Sequence, residues 1–199
     1  MNPTPPAGTP RPAVFLDRDG TINEEVDYLT RVEDMRLLPG AAEAIARLRE
    51  AGFTVVVVTN QSAVARGMMA EAQLVEIHEE MRRQLAAGDA EVDAICYCPH
   101  HPDHGEPPYR QDCSCRKPKP GLLHRAAEEL GIDLSRSVMI GDKTIDLETG
   151  WNAGCRSILV RTGYGEEALA EMDRESRDRI AFVAGDLLEA ADWLLARPD

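Results

Sequence analysis

Short apolar runs alternate with longer amphipathic segments along this chain of 199 residues. The run Val55–Val58 has no polar alternation, which is typical of a strand buried on both faces of a sheet. The alternation therefore predicts an α/β fold with a mainly parallel sheet. The predicted strands are Ala13–Leu16, Phe53–Val58, Ala94–Cys98, Val138–Ile140, Ser157–Val160 and a weaker one, Ala181–Val183.

Amphipathic segments between these strands predict the helices. In the second of them, Leu74, Ile77, Met81 and Leu85 recur at spacings of three and four and form one apolar stripe. The predicted helices are Gly40–Glu50, Ala70–Ala87, Gly121–Leu130, Thr144–Ala153 and Asp186–Ala196.

Charge and composition exclude several classes of protein. The 22 Lys and Arg residues against 35 Asp and Glu residues leave a net charge of −13, which excludes a generally basic nucleic-acid binder. No stretch approaches the roughly 20 apolar residues of a membrane span, and the first residues lack the apolar core of a signal peptide. The five cysteines, an odd number, then indicate a reducing cytoplasm.

Two long polar connections interrupt the regular alternation. They cover Asn23–Leu38 and Pro99–Pro120, and loops of this length are usually functional or held by a ligand. No third segment is long enough for a cap domain. We therefore expect a Pro-rich flexible tail at 1–12, one domain at 13–199, and a monomer that binds neither nucleic acid nor membrane.

The first strand ends in two aspartates spaced by two residues, Asp17 and Asp19. Alternate residues of an extended chain point to the same side, so both carboxylates are expected at one site at the carboxyl edge of the sheet. Gly20 then allows a sharp turn. Two close carboxylates repel each other, and a hard divalent cation such as Mg²⁺ relieves that repulsion.

The segment Asp17-Arg18-Asp19-Gly20-Thr21 resembles the first signature of the haloacid dehalogenase-like phosphatases. The resemblance implies a Rossmann-like three-layer sandwich without a large cap domain. It also implies that Asp17 attacks phosphorus to form a phosphoaspartate and that Asp19 is the general acid and base. In that family the Asp17 carboxylate and the Asp19 backbone carbonyl are Mg²⁺ ligands.

Further signatures follow in the order that the resemblance implies. Thr59 and Asn60 end the second strand and are expected to hold phosphate oxygens, although these residue types also favour simple turns. Lys117 precedes a helix and is expected to neutralise the phosphoryl group, although a lone lysine is more often a solvated charge. Asp142 is the expected third Mg²⁺ ligand. Asp146 fits either a supporting position or a favourable acid in the first turn of a helix.

Four cysteine and histidine residues occur at the two ends of the second long connection, within 98–115. Cys98 and His100 precede Cys113 and Cys115 by twelve intervening residues, a ligand set that suits a closed tetrahedral Zn²⁺ site. The alternative is a set of free cytosolic thiols beside a surface histidine, which leaves a Pro-rich loop with no core. In the zinc interpretation, the metal is structural and positions Lys117. Rival ligands with less support are Cys96, His101 and His104.

Within the superfamily, a metal-bound loop of this kind occurs in two groups. The segments beginning at Thr59, Cys96 and Cys113 (TNQSAVARG, CYCPHHPD and CSCRKPKPG) resemble the D-glycero-D-manno-heptose 1,7-bisphosphate 7-phosphatases more than the histidinol-phosphate phosphatases. Ala63 departs from the glycine usual in the heptose group. This resemblance implies a set of substrate-binding residues: Glu25, Asp27, Tyr28, Gln61, Ser62, Arg116 and Lys143.

The combined expectation is a Mg²⁺-dependent phosphatase that removes the 7-phosphate of a heptose bisphosphate, in nucleotide-activated heptose biosynthesis. The anomer at carbon 1 stays open. Two alternatives stay open as well. One is a histidinol-phosphate phosphatase, and the other is a catalytically silent zinc-bearing binding module on the same fold.

Overall fold

Six parallel strands form a single sheet at the centre of the protein. The computed structural model describes residues 10–197, so residues 1–9 of the expected tail lie outside the described residues. The strands are β1 (Ala13–Leu16), β2 (Thr54–Asn60), β3 (Ala94–Cys98), β4 (Val138–Gly141), β5 (Arg156–Val160) and β6 (Phe182–Ala184). Their order in the sheet is β3-β2-β1-β4-β5-β6.

Helices cover both faces of this sheet, which makes the three-layer α/β sandwich that the sequence predicts. The helices are α1 (Ala41–Glu50), α2 (Glu71–Ala87), α3 (Gly121–Leu130), α4 (Thr144–Asn152), α5 (Gly165–Glu171), α6 (Arg174–Asp178) and α7 (Leu187–Leu195). Val14 and Leu16 face one core with α1, α2 and α7, whereas Phe15 faces a second core with α3. Leu147 of α4 packs on Leu159 at the edge of that second layer.

The predicted strands and helices are confirmed, and no end is displaced by more than two residues. The prediction missed two helices, α5 and α6, because both are short and neither carries a buried apolar stripe. Within the expected tail, Arg11 pairs with Ile132, and the Arg11 backbone N–H donates to the Gly131 carbonyl at 3.0 Å.

The two long connections lie at the carboxyl edge of the sheet. Between β1 and α1 the only helical turn is Val32–Asp34, and between β3 and α3 the described chain has no helix or strand. Neither connection builds a cap domain, as expected. Among residues 10–197 no helix combines the length and apolar character that crossing a bilayer requires.

Candidate active site

Three aspartates lie close together at the carboxyl edge of the sheet. Asp17 follows β1, Asp142 follows β4, and Asp146 lies in the first turn of α4. All three are buried, and one carboxylate oxygen from each lies within 4.8 Å of the others. The Asp142 Oδ1 atom has no hydrogen-bond partner among residues 10–197. An oxygen-only ligand set with an unpartnered buried oxygen fits a hard divalent cation such as Mg²⁺.

Burial and crowding change the pKa of two of these acids. Burial, followed by the charges of Asp17 and Asp146, raises the pKa of Asp142 above its usual value. Burial and the charge of Asp17 likewise raise the pKa of Asp146. A bound cation would favour the ionised forms of Asp142 and Asp146.

Lys117 is the cation that the structure itself places in this cluster. Its Nζ forms ion pairs with Asp17 Oδ1 at 2.7 Å and Asp146 Oδ1 at 2.6 Å, and it donates to the Val58 carbonyl at 3.0 Å. Burial opposes the ammonium charge, but the two carboxylates outweigh burial and raise the pKa of Lys117. This lysine is therefore charged and is not a solvated surface residue. Asp146 serves both as its partner and as the acceptor of the Lys143 backbone N–H at 3.0 Å.

Side chains at the end of β2 hold the backbone around Lys117. Asn60 Oδ1 accepts from the Lys117 N–H at 3.0 Å, and Asn60 Nδ2 donates to the Lys117 carbonyl at 3.2 Å. The buried Thr59 hydroxyl accepts from Gln61 Nε2 at 2.9 Å. Asn60 thus positions a cationic residue from a distant loop, a use of this side chain that the sequence did not suggest.

The Asp19 carboxylate lies apart from the acid cluster and pairs with its neighbour Arg18. Arg18 Nη2 lies 2.8 Å from both Asp19 oxygens and Nε lies 3.0 Å from Oδ1. Asn23 Nδ2 and Gln61 Nε2 donate to the same carboxylate at 3.0 and 2.9 Å. Burial alone would raise the pKa of Asp19, but Arg18 with these two amides outweighs it and lowers the pKa. Metal ligation by Asp19 would use its backbone carbonyl.

Two glycines allow the strand ends to approach one another. Gly20 and Gly163 have φ of +80° and +56°, a region that L side chains rarely adopt. A Cβ at either position would lie 2.2 Å from Asp142 Oδ2. The loop after β5 thus completes the site, and the Tyr164 backbone N–H donates to Asp142 Oδ2 at 2.9 Å.

A cleft of about 240 Å³ opens above Asp19. All seven substrate-binding residues predicted from the resemblance line it, as does Asn60. Sequence reasoning missed four other lining residues: Leu29, Ala63 (noted only as a departure from the family pattern), Ile145 and Tyr164.

Ion pairs and hydrogen bonds connect the side walls of this cleft. Lys143 Nζ lies 2.7 Å from Glu25 Oε2 and 4.6 Å from the centre of the Tyr164 ring. The Tyr164 hydroxyl donates to Asp27 Oδ1 at 2.7 Å. Asp27 has a φ of +58°, so a left-handed residue presents this carboxylate to the tyrosine. Tyr164 therefore joins the β1 loop to the β5 loop.

Four side chains near Lys117 form a compact sulfur and nitrogen cluster. The Sγ atoms of Cys98, Cys113 and Cys115 lie 3.2–3.4 Å apart, and His100 Nδ1 lies 3.4 Å from Cys115 Sγ and 3.8 Å from Cys98 Sγ. All the cysteines are free thiols. Tetrahedral Zn²⁺ with bonds of about 2.3 Å would set Sγ atoms roughly 3.8 Å apart, so the cluster fits zinc with a small expansion.

The predicted rival zinc ligands lie outside this cluster. The rings of His101 and His104 contact each other, with centroids 4.4 Å apart, and Cys96 is buried in β3. Arg116 follows the last ligand and its Nη1 donates to the His100 carbonyl at 3.1 Å. The cluster therefore positions both Arg116 in the cleft and Lys117 beneath it.

Two family models match this chain. The haloacid dehalogenase-like hydrolase model matches residues 14–93, and the HAD-hydrolase-like model matches residues 114–190. The interval between the two matches holds Cys98, His100 and Cys113.

Similar proteins are known over nearly the whole chain. The D-glycero-beta-D-manno-heptose-1,7-bisphosphate 7-phosphatase of Escherichia coli K12 is 46% identical, with 92% of this chain and 88% of that protein covered. The D-glycero-D-manno-heptose-1,7-bisphosphate 7-phosphatase of Thermosynechococcus vestitus is 42% identical, with 93% and 96% covered. The crystal structure of D,D-heptose 1,7-bisphosphate phosphatase from B. bronchiseptica, with magnesium and phosphate, is 39% identical and has a TM-score of 0.82, with 93% and 98% covered.

The raised pKa values of Asp142 and Asp146 predict how Mg²⁺ stabilises the protein at different pH. A carboxyl whose folded pKa exceeds its unfolded value of about 4 contributes stability that is lost as pH rises. We expect the Tm of the metal-free protein to fall between pH 5 and pH 8, and the rise in Tm on adding Mg²⁺ to be larger at pH 8. Thermal unfolding at both pH values measures this. Asp142→Asn should lose most of the Mg²⁺ effect, and equal Mg²⁺ shifts at both pH values would contradict the expectation.

Removal of one thiol tests the zinc cluster. Cys113→Ser should lower the zinc content from about one equivalent to well below one, because one of four ligands is lost. Elemental analysis of the purified protein measures the content. Cys96→Ser is the matched control, since Cys96 is a buried cysteine of β3 outside the cluster. A full equivalent of zinc in Cys113→Ser would reject the site.

Proposed function

Because this chain belongs to the haloacid dehalogenase-like hydrolases, and within them to the family of the heptose bisphosphate phosphatases, we propose that it removes the 7-phosphate of D-glycero-D-manno-heptose 1,7-bisphosphate. The protein is a phosphatase, a hydrolase of phosphoric monoesters. The observation that carries the finer proposal is the position of Asp17 beside a buried Lys117, below a cleft lined by Glu25, Arg116 and Lys143.

Asp17 is the nucleophile of the proposed reaction. One Asp17 oxygen attacks phosphorus in line, the bond between phosphorus and the sugar oxygen breaks, and Asp19 gives its proton to that oxygen. The products of this step are a phosphoaspartate at Asp17 and the heptose 1-phosphate. The approach of the phosphate dianion raises the pKa of Asp19, which opposes the effect of Arg18 and supplies the acid form.

Water then hydrolyses the phosphoaspartate. Asp19, now a carboxylate, takes a proton from the water as its oxygen attacks phosphorus, and the bond to the Asp17 oxygen breaks. Inorganic phosphate leaves, and both aspartates return to their starting state.

Charges around Asp17 stabilise the transferring group. Lys117 supplies a buried positive charge. Thr59, whose buried hydroxyl accepts from Gln61 Nε2 at 2.9 Å, is proposed to hold a phosphate oxygen. Mg²⁺ held by Asp17, Asp142 and the backbone of Asp19 would neutralise phosphate charge at this position when bound.

The cleft walls are proposed to recognise the sugar and its second phosphate. Glu25, Asp27 and Tyr28 offer oxygen groups to the heptose hydroxyls, with Gln61 and Ser62 on the facing wall. Arg116 and Lys143 provide two cations for the 1-phosphate, and the planar guanidinium suits bidentate pairing with phosphate oxygens. The cleft therefore carries positive groups despite the net charge of −13.

The product, heptose 1-phosphate, suits consumption in nucleotide-activated heptose biosynthesis. We place this reaction in the cytoplasm, because an odd number of cysteines, three of them in the proposed zinc cluster, suits a reducing compartment. A monomer is consistent with a cleft built entirely from one chain.

A substrate panel tests the proposed reaction. Phosphate release with Mg²⁺ should be fastest from one anomer of D-glycero-D-manno-heptose 1,7-bisphosphate, because Arg116 and Lys143 fit a second phosphate. Histidinol phosphate should be at least about 100-fold poorer in kcat/KM, a difference of roughly 2.7 kcal/mol. Faster hydrolysis of histidinol phosphate would favour the alternative substrate class, and no release from any phosphomonoester would favour a binding module.

Substitution of the nucleophile tests the covalent step. Asp17→Asn should lower kcat roughly 10⁴-fold or more, the scale expected when a covalent nucleophile is removed. Rapid acid quench should trap a phosphorylated protein with the parent and not with the variant. Asp178→Asn, an exposed carboxylate paired with Arg174 on α6, is the matched control and should keep parent activity. Full activity of Asp17→Asn would reject the assignment.

A further inference from the structure

Arg18 is a wholly buried cation that the proposed reaction does not use. Its side chain is 0% exposed, and it is absent from the cleft lining. It therefore cannot touch a substrate in the cleft. Its guanidinium forms an ion pair with Asp19, where Nη2 reaches both carboxylate oxygens and Nε reaches Oδ1.

His78 of α2 lies behind the guanidinium, sixty residues further along the chain. Its Nε2 is 3.3 Å from Arg18 Nη1, the guanidinium nitrogen that does not contact Asp19. Burial, and then the charge of Arg18, lowers the pKa of His78 to about 3, so the ring is neutral near pH 7. A neutral ring with its proton on Nδ1 accepts from Nη1 without adding a charge that repels the guanidinium.

The two contacts together define the orientation of Asp19. A guanidinium that faces a carboxylate through two N–H groups restricts rotation of that carboxylate. His78 in turn restricts rotation of the guanidinium, because it accepts from the nitrogen that Asp19 does not use. Asn23 and Gln61 donate to the two carboxylate oxygens from other directions.

We propose that Arg18 and His78 are positioning residues that hold the Asp19 carboxyl in the orientation for proton transfer. This inference rests on the proposed function, in which Asp19 protonates the sugar oxygen and later takes a proton from water. A displacement of about 1 Å in such a group can cost roughly 100-fold in rate. The pair therefore acts on the chemical steps and not on substrate binding.

A purely structural role makes a different prediction. Buried ion pairs often contribute little to stability, and a histidine on the apolar face of a helix is commonly a packed core residue. His78 also packs near the Tyr97 ring, with centroids 5.6 Å apart. If packing were its whole role, activity would follow residue volume and Tm, without regard to whether the new side chain accepts a hydrogen bond.

Two substitutions of His78 separate these roles. His78→Leu fills the site with an apolar side chain and removes the hydrogen-bond acceptor, whereas His78→Gln keeps a neutral hydrogen-bond acceptor that can reach Arg18. Arg18→Lys keeps the positive charge and loses the planar fork. It carries the same test if His78→Leu does not fold, which circular dichroism establishes.

The measurement is kcat and KM for D-glycero-D-manno-heptose 1,7-bisphosphate, with first-turnover release of 4-nitrophenolate from 4-nitrophenyl phosphate. 4-Nitrophenolate needs little protonation to leave, so a misplaced general acid should affect its release least. We expect His78→Leu and Arg18→Lys to lower kcat for the sugar about 10- to 100-fold with KM within about threefold. His78→Gln should return kcat to within about threefold of the parent. First-turnover release of 4-nitrophenolate should stay within about threefold in all three variants, and later turnovers should be slow in His78→Leu and Arg18→Lys.

Three results would overturn the inference while leaving the proposed function intact. The first is a folded His78→Leu variant that keeps the kcat of the parent. The second is an equal loss of kcat in His78→Leu and His78→Gln. The third is a first-turnover rate with 4-nitrophenyl phosphate that falls as far as the rate with the sugar substrate. Failure of the proposed function is distinct, because the parent itself would then release no phosphate from the heptose bisphosphate.

Discussion

The ammonium of Lys117, buried between Asp17 and Asp146, is the interaction on which the rest of the site depends. Two buried carboxylates repel each other, and an ammonium between them relieves that repulsion, which suits the proposed role of Asp17 as nucleophile. Three distant parts of the chain must meet to make this contact. Asn60 anchors the Lys117 backbone to β2, and the cysteine and histidine cluster ends two residues before it. The loop that carries this cluster thereby places a positive charge in the candidate active site.

The strand-end motif of β1 supports two separate charge systems. Asp17 points into the cluster with Lys117, while Asp19 lies in a second ion pair with Arg18. The separation suits the two proposed roles, because the proposed nucleophile lies next to a cation and the proposed acid and base has a partner of its own. The β5 loop packs against the turn after Asp19 and against Asp142, because Gly163 leaves room for Gly20 and the Asp142 carboxylate. A second structural role for that loop is the Tyr164 contact to Asp27.

The net charge of −13 and a phosphorylated substrate are compatible because the cations are concentrated where they are needed. Arg116, Lys117 and Lys143 all lie at the carboxyl edge of the sheet, and two of them line the cleft. Many of the acids form exposed ion pairs elsewhere, such as Glu166 with Arg161, which contribute little to stability. The overall negative field should still slow the approach of an anionic substrate, an effect that salt reduces.

Local patterns in the sequence are enough to predict the fold and the composition of the candidate site. Apolar periodicity predicts all six strands, and the spacing of Asp17 and Asp19, with the Cys98 to Cys115 pattern, predicts two metal sites, because these signals are local in the chain. The contacts between distant groups become visible in the three-dimensional structure alone. Lys117 and Asp146 became partners, His78 came to lie behind Arg18, and Tyr164 reached Asp27. His78 sits on the same helical stripe as Leu74 and Met81, so the sequence marks it as buried, but it could not reveal the residue that it contacts. Long-range pairing depends on how strands and loops pack at the sheet edge, and no local pattern carries that information.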